Sequence, residues 1–193
     1  RRRSSQRLRG QAEPEPVGAA GDFGGRRFNP PAKNWPTRPT TDIAKEGLFN
    51  MLNTRINFSE AVMLDLFGGT GSHSYEFISR GCGDVTYVDK FSGCVAFVTK
   101  TAEDLAISSS IRIIRSDVFR FLKANTRQYT YIFAGPPYPL PELPLIPGAV
   151  FDNDTLAAGG LFVLEHDPLH DFGSHPRFSE ARKYGTTIFS FFR

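Results

Sequence analysis

Two short stretches of the sequence carry residue types that could hold a small molecule and act on it. Residues 65–72 (DLFGGTGS) are rich in glycine, which lets the main chain approach a ligand closely and adopt a positive φ. Residues 135–138 (GPPY) join two prolines of fixed φ to a tyrosine. Rigid carbonyls near the prolines could accept hydrogen bonds from an exocyclic amine, and a planar base could stack on the tyrosine ring. A loop that only leaves a strand is the alternative for this second stretch.

The glycine stretch differs from the two commonest phosphate-binding motifs. No Gly-Lys-Ser/Thr follows it, which excludes a P-loop. Ser74 stands where the dinucleotide-binding GxGxxG motif needs its third glycine. The stretch therefore favours a neutral or zwitterionic nucleoside over a pyrophosphate. A tight turn without a ligand is the alternative, although the unbroken run of small residues from Gly68 to Ser72 exceeds what a turn requires.

Two aspartates follow the next two predicted strands. Asp89 lies about 20 residues beyond the glycines, where a carboxylate can accept hydrogen bonds from ribose hydroxyls. Taken alone, it could equally be a solvated acid at the end of a strand. Asp117 could bond an adenine amine or cap the following helix, and the two roles are compatible.

Short apolar runs alternate with helical stretches along most of the chain. We predict helix 42–53 with Thr41 or Asp42 as its N-cap, and a final strand pair that turns at Gly185. The other predicted strands are residues 61–67, 84–89, 111–115, 129–134 and 161–165, and the final strand pair is residues 177–184 and 186–192. The other predicted helices are residues 72–80, 92–106, 118–124 and part of 143–156, with an interruption near Pro147. Alternating strands and helices indicate an α/β fold of the Rossmann-like type, with a seven-stranded, mostly parallel sheet and a terminal antiparallel hairpin.

Composition favours one folded domain with a tail. The chain has 193 residues and 40% hydrophobic content, which suits a single core. Residues 1–22 have almost no large apolar side chains and are predicted to be disordered, and residues 23–193 form the domain. Within it, residues 23–41 combine prolines with basic residues and are predicted to be an extended basic arm. The net charge of +3 is weak evidence for a nucleic-acid partner.

Several classes of protein are disfavoured. Cys82 and Cys94 form no CxxC pair, which argues against a disulfide framework or a zinc site and favours the cytoplasm. The sequence contains no run of 18 or more apolar residues, so we predict no membrane span. The four histidines lack the spacing of metal ligands beside an acidic partner, so we predict structural or surface roles for His73, His166, His170 and His175 and no metal site.

Seven stretches in a fixed order resemble the RsmD family, whose members methylate the N2 amine of a guanine in 16S rRNA with S-adenosylmethionine. They are residues 24–28 (GGRRF), 38–42 (RPTTD), 45–46 (KE), 48–50 (LFN), 65–72, 116–118 (SDV) and 136–138 (PPY). No single motif is specific, but their combination is, and the likeness spans about residues 24–193. The resemblance implies a class I S-adenosylmethionine-dependent methyltransferase that acts on 16S rRNA or the small ribosomal subunit. A basic arm on a small domain favours a monomer.

The resemblance also implies roles for the matching residues. The cofactor-binding residues would be Thr40, Thr41, Asp65, Phe67, Gly68, Gly69, Thr70, Gly71, Asp89 and Asp117. The catalytic residues would be Gly135, Pro136, Pro137 and Tyr138. Arg26, Arg27 and Arg38 would meet RNA phosphates, for which the guanidinium offers a bidentate fork.

One position departs from the family pattern in a way that bears on activity. The family has Asp or Asn where this chain has Gly135, and that side-chain oxygen would bind the target amine. Loss of one polarising contact could cost about 10²–10³ in rate, by analogy with the loss of one preorganised donor. A catalytically impaired cofactor- or RNA-binding homologue therefore stays open. A methyltransferase that acts on a DNA base or on a protein glutamine also stays open. The missing third glycine argues against a nicotinamide oxidoreductase.

Overall fold

The order of the seven strands in the main sheet places the glycine stretch (residues 65–72) beside the Gly-Pro-Pro-Tyr stretch (residues 135–138). The computed structural model describes residues 40–193, Trp35, and the main chain of residues 15–17 and 26–28. The strands are β1 (Glu15–Val17), β2 (Arg26–Phe28), β3 (Met63–Leu66), β4 (Val85–Asp89), β5 (Ile111–Arg115), β6 (Tyr129–Ala134), β7 (Leu156–His166), β8 (Phe178–Tyr184) and β9 (Thr187–Phe192). The α-helices are α1 (Asp42–Leu52), α2 (Ser72–Ser79), α3 (Ser92–Asp104), α4 (Val118–Ala124) and α5 (Ile146–Asp152).

The sheet order is β5-β4-β3-β6-β7-β9-β8. Strands β5, β4, β3, β6 and β7 are parallel to one another, while β9 runs antiparallel to both β7 and β8. This confirms the predicted Rossmann-like fold with its terminal antiparallel hairpin. The chain reverses its direction of winding between β3 and β6, and ligands of open α/β sheets bind at such a switch point, beyond the carboxyl ends of the strands.

Alternating side chains of the parallel strands pack into two hydrophobic cores, one on each face of the sheet. Tyr131 and Phe133 of β6 pack in the core that α1, α2 and α3 cover. Ile132 and Ala134 of the same strand pack in the core that α4 and α5 cover. Successive residues of a strand point to opposite faces, so a strand covered on both faces is apolar throughout. This is why β3 and β6 are rigid supports for the loops that follow them.

The structure corrects two predicted element bounds. Strand β7 begins at Leu156 rather than at residue 161, because Gly159, at φ 74, and Gly160 lie within the strand. The register of β7 with β6 shifts at this point. A cluster of glycines suggested a break, but glycine in a strand also marks a bulge. Pro147 does not interrupt a helix, because α5 begins at Ile146 and proline is tolerated in the first turn.

Residues 15–17, which lie in the segment that we predict to be disordered, form strand β1. Its three residues pair with β2 through an antiparallel ladder. Main-chain hydrogen bonds need no apolar side chain, so composition alone could not reveal this pairing. The remainder of residues 1–22 lies outside the described residues. Within the described part of the chain, no helix is both long enough and apolar enough to cross a membrane.

Candidate functional site

A cavity of about 320 Å³ lies beyond the carboxyl ends of β3, β4, β5, β6 and β7. It joins the glycine stretch after β3 to the Gly-Pro-Pro-Tyr stretch after β6, and these two strands are direct neighbours in the sheet. The predicted site residues that line it are Thr40, Asp65, Phe67, Gly68, Gly69, Thr70, Asp89, Asp117, Gly135 and Pro137. The two stretches therefore face a common cleft.

Four predicted site residues do not line this cavity. Thr41 instead caps α1, because its hydroxyl oxygen accepts a hydrogen bond from the amide of Ala44. Gly71, at φ 82, begins α2, and a side chain there would meet the ring of Tyr75. Pro136 and Tyr138 are buried, whereas Gly135 and Pro137 face the cavity. Prolines hold the segment extended, and alternate residues of an extended segment point in opposite directions.

The three arginines predicted to meet RNA cannot be placed in the site. Arg38 and the side chains of Arg26 and Arg27 lie outside the described residues. Their predicted role therefore stays a prediction.

The glycine stretch is held against β4 by a tyrosine. The hydroxyl of Tyr87 donates to the carbonyl of Gly69 at 2.6 Å, and the tyrosine ring is fully buried. A Cβ at Gly68 would lie 2.2 Å from that ring, which no real Cβ contact allows. The amide of Gly71 donates to the carbonyl of Gly68 at 2.9 Å and closes the turn. Glycine at position 68 is thus required for space rather than for an unusual φ.

Asp89 is fixed by two main-chain amides. Its Oδ2 accepts from the amide of Gly69 at 3.0 Å, and its Oδ1 accepts from the amide of Phe91 at 2.9 Å. The side chain is buried yet contributes to the cavity wall. Two amide donors hold a carboxylate in one orientation, so Asp89 presents a preorganised acceptor to hydroxyl groups of a ligand.

Asp65 lies behind the glycine stretch, at the bottom of the cavity. Its Oδ2 accepts a hydrogen bond from the hydroxyl of Ser74 at 2.6 Å. Burial raises the pKa of the Asp65 carboxyl to about 7, Ser74 opposes this rise, and the charge of Asp89 adds to it. A carboxyl with such a pKa changes its charge near neutral pH, so a cationic ligand would favour its ionised form. In the sequence, Ser74 was only evidence against a dinucleotide-binding motif. In the structure it is the hydrogen-bond partner of Asp65, a residue that lines the cavity.

Asp117 fulfils one of its two predicted roles directly. Its Oδ1 accepts from the amide of Arg120 at 3.0 Å and caps α4. It also lines the cavity, next to Val118 and Phe119. Phe91 lines the cavity as well, and Trp35 packs edge-on against its ring. Phe91 follows Asp89 by two positions, and Phe119 follows Asp117 by two positions, so this spacing could have indicated both phenylalanines.

A lysine and a histidine that sequence reasoning left outside the site also line the cavity. Lys45 of α1 donates to the hydroxyl of Ser72 at 2.7 Å and lies 3.9 Å from Glu76 Oε2. His73 stacks on Phe133 with ring centroids 3.8 Å apart. Burial, followed by the charge of Lys45, lowers the pKa of His73 well below its usual value. His73 is therefore neutral and packs as an aromatic residue.

The end of the cavity next to Gly135 contains a carboxylate that was not among the predicted site residues. Glu165, near the end of β7, is buried and lines the cavity. Its Oε2 accepts from the Thr40 hydroxyl at 2.7 Å, and its Oε1 accepts from the Tyr138 hydroxyl at 3.0 Å. A Cβ built on Gly135 would lie 3.4 Å from Glu165 Oε2. The predicted platform for base stacking, Tyr138, is instead a hydrogen-bond partner of this carboxylate.

The remaining histidines take structural positions, and metal ligands do not cluster. His166 bonds Ser190 Oγ at 2.7 Å and the carbonyl of Asp167 at 2.8 Å, and burial lowers its pKa. Among the described residues, no group of three or more His, Cys, Asp or Glu could hold a metal ion.

Residues 19–193 match the family described as Conserved hypothetical protein 95. A protein of Bacillus subtilis (strain 168), provisionally named rRNA methyltransferase YlbH, is 32% identical over 134 residues, 68% of this chain and 72% of that protein. Ribosomal RNA small subunit methyltransferase D of Haemophilus influenzae is 30% identical over 149 residues, 76% of each protein.

Solved structures share the fold. An Escherichia coli protein provisionally titled methyltransferase yhhF superposes with a TM-score of 0.78 at 24% identity, over 95% of this chain and 97% of that one. The T. thermophilus 16S rRNA N2 G1207 methyltransferase, solved with AdoMet and guanosine, gives a TM-score of 0.68 at 20% identity, over 90% of this chain and 49% of that one. The family match over residues 19–193 and the likeness to the H. influenzae protein together show that this chain belongs to the Conserved hypothetical protein 95 family, the RsmD-like family that its motifs resemble.

Proposed function

We propose that this chain methylates the exocyclic N2 amine of a guanine in 16S rRNA, with S-adenosylmethionine as the cofactor. One observation carries the proposal: the glycine stretch after β3 and the Gly-Pro-Pro-Tyr stretch after β6 line one cavity at the switch point of the sheet. A nucleoside donor and a planar acceptor can therefore meet in it. The names of the relatives support an rRNA methyltransferase.

The donor set of the cavity fits a zwitterionic nucleoside. Asp89 offers preorganised acceptors for ribose hydroxyls, and Asp117 lines the same cavity as Phe91 and Phe119, whose side chains suit an adenine ring. Lys45 and the start of α2 offer positive potential for a carboxylate, while Asp65 offers a carboxyl to an ammonium or sulfonium group. Acidic groups at these positions would repel a pyrophosphate, so the set opposes a dinucleotide.

The residues of the chain act by binding and orientation. When bound, S-adenosylmethionine supplies an electrophilic methyl group on a sulfonium sulfur. Gly135 and Pro137 shape the facing wall, and their rigid segment leaves room for a flat base. Holding the two reactants in line converts a bimolecular reaction into an effectively unimolecular one, which lowers the barrier.

The basic arm over residues 23–41 is proposed to meet RNA phosphates through Arg26, Arg27 and Arg38. We expect Arg38→Ala to weaken RNA binding more at low salt than at high salt, because a phosphate contact releases counterions. Electrophoretic mobility shifts over a salt series measure this. An equal loss at every salt concentration would contradict a phosphate contact. We further propose that the chain works as a cytoplasmic monomer without a metal.

The test is a methyl-transfer assay with radiolabelled S-adenosylmethionine on unmethylated 30S particles and on naked 16S rRNA, followed by mass analysis of the nucleosides. The expected product is N2-methylguanosine. Methylated adenine, a labelled DNA base or a labelled protein glutamine would replace the proposal with one of the other acceptors. Calorimetric binding of S-adenosylmethionine provides the independent check.

Gly135 favours a second candidate, a homologue that binds the cofactor or RNA but transfers no methyl group. The observation behind it is that residue 135 carries no side-chain oxygen. Tight cofactor binding without any transfer to RNA would support this candidate.

A further inference from the structure

Positive charge is concentrated in one short segment of the chain. Residues 111–127, which form β5, α4 and the start of the loop after α4, contain five arginines or lysines and one acid, so their net charge is +4. The five cations are Arg112, Arg115, Arg120, Lys123 and Arg127. Because the whole chain carries only +3, all the other residues together carry a net charge of −1.

Most cations of this segment also lack an acidic partner. Arg127 forms an ion pair with Asp84, but the other four cations of the segment, and Lys90 beside them, form no salt bridge with any residue that the structure describes. All five of these side chains belong to exposed residues. They are called the basic cluster below: Lys90, Arg112, Arg115, Arg120 and Lys123.

The cations at the opposite end of the sheet are arranged differently. Arg55 and Arg182 each form an ion pair with Glu180 of β8. The pKa of Glu180 is lowered by its hydrogen bond from Arg55 and by the charges of Arg55, Arg182 and Arg193. A carboxylate thus offsets the positive charge at that end, whereas the charge of the basic cluster stays available to an anion from outside the chain.

The basic cluster wraps around one edge of the sheet. Strand β5 is the outermost strand at this edge. The isoleucines on either side of Arg112 pack in the core that α1, α2 and α3 cover, so Arg112 points to the face that α4 covers. Arg115, three positions further along the strand, points to the opposite face. Arg120 and Lys123 are also three residues apart, and this spacing places them on the same side of helix α4.

Lys90 connects the basic cluster to the cavity. It follows β4 and lines the cavity together with its neighbours Asp89 and Phe91, and its carbonyl accepts a hydrogen bond from Arg115 Nε at 3.4 Å. Three strand spacings of about 4.8 Å separate β5 from β6, the strand that precedes Gly135, which gives about 14 Å. A stacked nucleic-acid strand advances about 3.4 Å per nucleotide, so about four nucleotides would cover this distance.

Protection of the sheet edge explains only part of the basic cluster. Charged side chains on an edge strand hinder pairing with another chain, and Arg112 and Arg115 alone could fill that role. Arg120 and Lys123 lie on a helix, and Lys90 lies after the end of a strand, where no ladder can be extended. A polyanion that contacts all of these elements accounts for the whole set.

We infer that the basic cluster is a docking surface for phosphates of the rRNA substrate, next to the cavity and separate from the predicted arm. The choice of RNA as the polyanion rests on the proposed function. The target base enters the cavity, and the strand that carries it runs past the end of β4 toward β5. Contacts to phosphates position a strand without reading its sequence, so the basic cluster contributes affinity and register rather than base specificity.

The test replaces three arginines of the basic cluster in one chain, Arg112→Gln, Arg115→Gln and Arg120→Gln. Filter binding of radiolabelled, unmethylated 16S rRNA is measured over a KCl series. Each lost phosphate contact lowers the slope of log K against log[salt] by about 0.7 for a single strand, so we expect the slope to fall by about 2. Across the decade from about 0.1 M to about 1 M salt, this corresponds to binding that is about 10²-fold weaker at the lower concentration.

Two matched variants separate the position of the charges from their number. The first removes three charges from the opposite end of the sheet, by replacing Arg182, Lys183 and Arg193 with glutamine. It should keep the parent's slope, because charges further from the RNA than the Debye length of about 10 Å are screened. The second has lysine at the three arginine positions of the basic cluster and should keep most of the slope, which counts charges. The affinity for S-adenosylmethionine should be equal in all variants, since these side chains do not line the cavity.

The outcomes separate this inference from the proposed function. If the glutamine variant of the basic cluster binds rRNA with the parent's slope and affinity, the inference is wrong and the proposed function stands. If the parent makes no N2-methylguanosine but the same variant still loses rRNA affinity, the proposed function is wrong and the docking surface stands. Equal losses in this variant and in the variant of the opposite end would indicate long-range attraction only and would overturn the inference.

Two further measurements close the remaining gaps. Anionic phospholipid vesicles that bind through the basic cluster, while rRNA binding does not depend on it, would assign the surface to a membrane and overturn the inference. If the glutamine variant does not fold, Lys123→Gln on the exposed side of α4 replaces it. This single change should lower the slope by about 0.7, and an unchanged slope would count against the docking surface.

Discussion

The two walls of the cavity are built by different means. The wall after β3 and β4 consists of main-chain groups that neighbouring segments hold in place: Asp89 accepts from Gly69, and Tyr87 donates to Gly69, over 20 and 18 residues of sequence. The wall after β6 and β7 joins distant side chains, since the contact between Thr40 and Glu165 spans 125 residues. The first wall is thus organised around the backbone of the glycine stretch, and the second around a buried carboxylate.

The contrast teaches where each wall tolerates change. The backbone wall has no room, because a single methyl group at Gly68 collides with Tyr87. The carboxylate wall is less crowded at Gly135, where the nearest atoms to a Cβ belong to two side chains, 3.1 and 3.4 Å away, and need to shift by only a few tenths of an ångström. We therefore expect the second wall to accept an added side chain more readily than the first. The predictions that follow test this difference.

The largest effect is expected for Asp89→Ala. The change leaves the amides of Gly69 and Phe91 without their acceptor and removes the proposed ribose contacts. Hydrogen bonds to charged groups contribute about 1.5–3 kcal/mol each, so we expect the affinity for S-adenosylmethionine to fall by about 10²-fold or more. Isothermal calorimetry measures it. Asp104→Ala, at the exposed end of α3, is the control. An unchanged affinity would place the ribose elsewhere.

Gly68→Ala should be the next most damaging. The added methyl group would overlap the buried Tyr87 ring, and overpacking of this kind costs about 1–3 kcal/mol. Thermal or urea unfolding should show that loss, and cofactor affinity should fall with it because the loop must shift. Gly83→Ala adds the same methyl group where nothing lies within 4 Å and should be almost neutral. Equal stability of the two variants would mean that the backbone wall is adaptable after all.

The fold and the first wall could be predicted because their signals are local. Strands β5 and β6 and helix α4 have the predicted bounds, since apolar runs and turn residues mark them directly. The glycine stretch and Asp89 were predicted for the same reason. Glu165 was not among the predicted site residues, because nothing local indicates that β7 lies beside β6 or that residue 40 reaches its end. The pairing of β1 with β2 was missed for a different reason, because main-chain hydrogen bonds need no apolar side chain and leave no mark on composition.

A moderate, pH-dependent effect is expected from Asp65. Because its pKa is raised to about 7 in the folded protein, the unfolded chain loses its proton first, and stability should fall as the pH rises from about 4 to about 7. Cofactor affinity should change in the opposite sense. An ionised Asp65 attracts a cation, so the dissociation constant should decrease by up to about tenfold between pH 6 and pH 8.

Asp65→Asn should flatten both pH profiles, because the amide does not titrate in this range. Calorimetry in buffers of different ionisation enthalpy would count the proton released on binding, which should approach one at pH 6 for the parent and zero for the variant. Asp104→Asn is again the exposed control. A profile that persists in Asp65→Asn would assign the titration to another group.

The smallest effect separates the two roles of Asp117. Serine is as good an N-cap as aspartate, so Asp117→Ser should keep α4 and change the free energy of unfolding by less than about 0.5 kcal/mol. Asp117→Ala, which removes the cap, should cost about 1 kcal/mol. If the carboxylate also bonds the adenine amine, the serine variant should bind S-adenosylmethionine about threefold to tenfold more weakly while the fold stays intact, since one hydrogen bond contributes about 0.5–1.5 kcal/mol. Weaker binding by the alanine variant alone would mean that Asp117 serves the site only by capping α4, and the adenine contact would then have to come from the backbone wall itself.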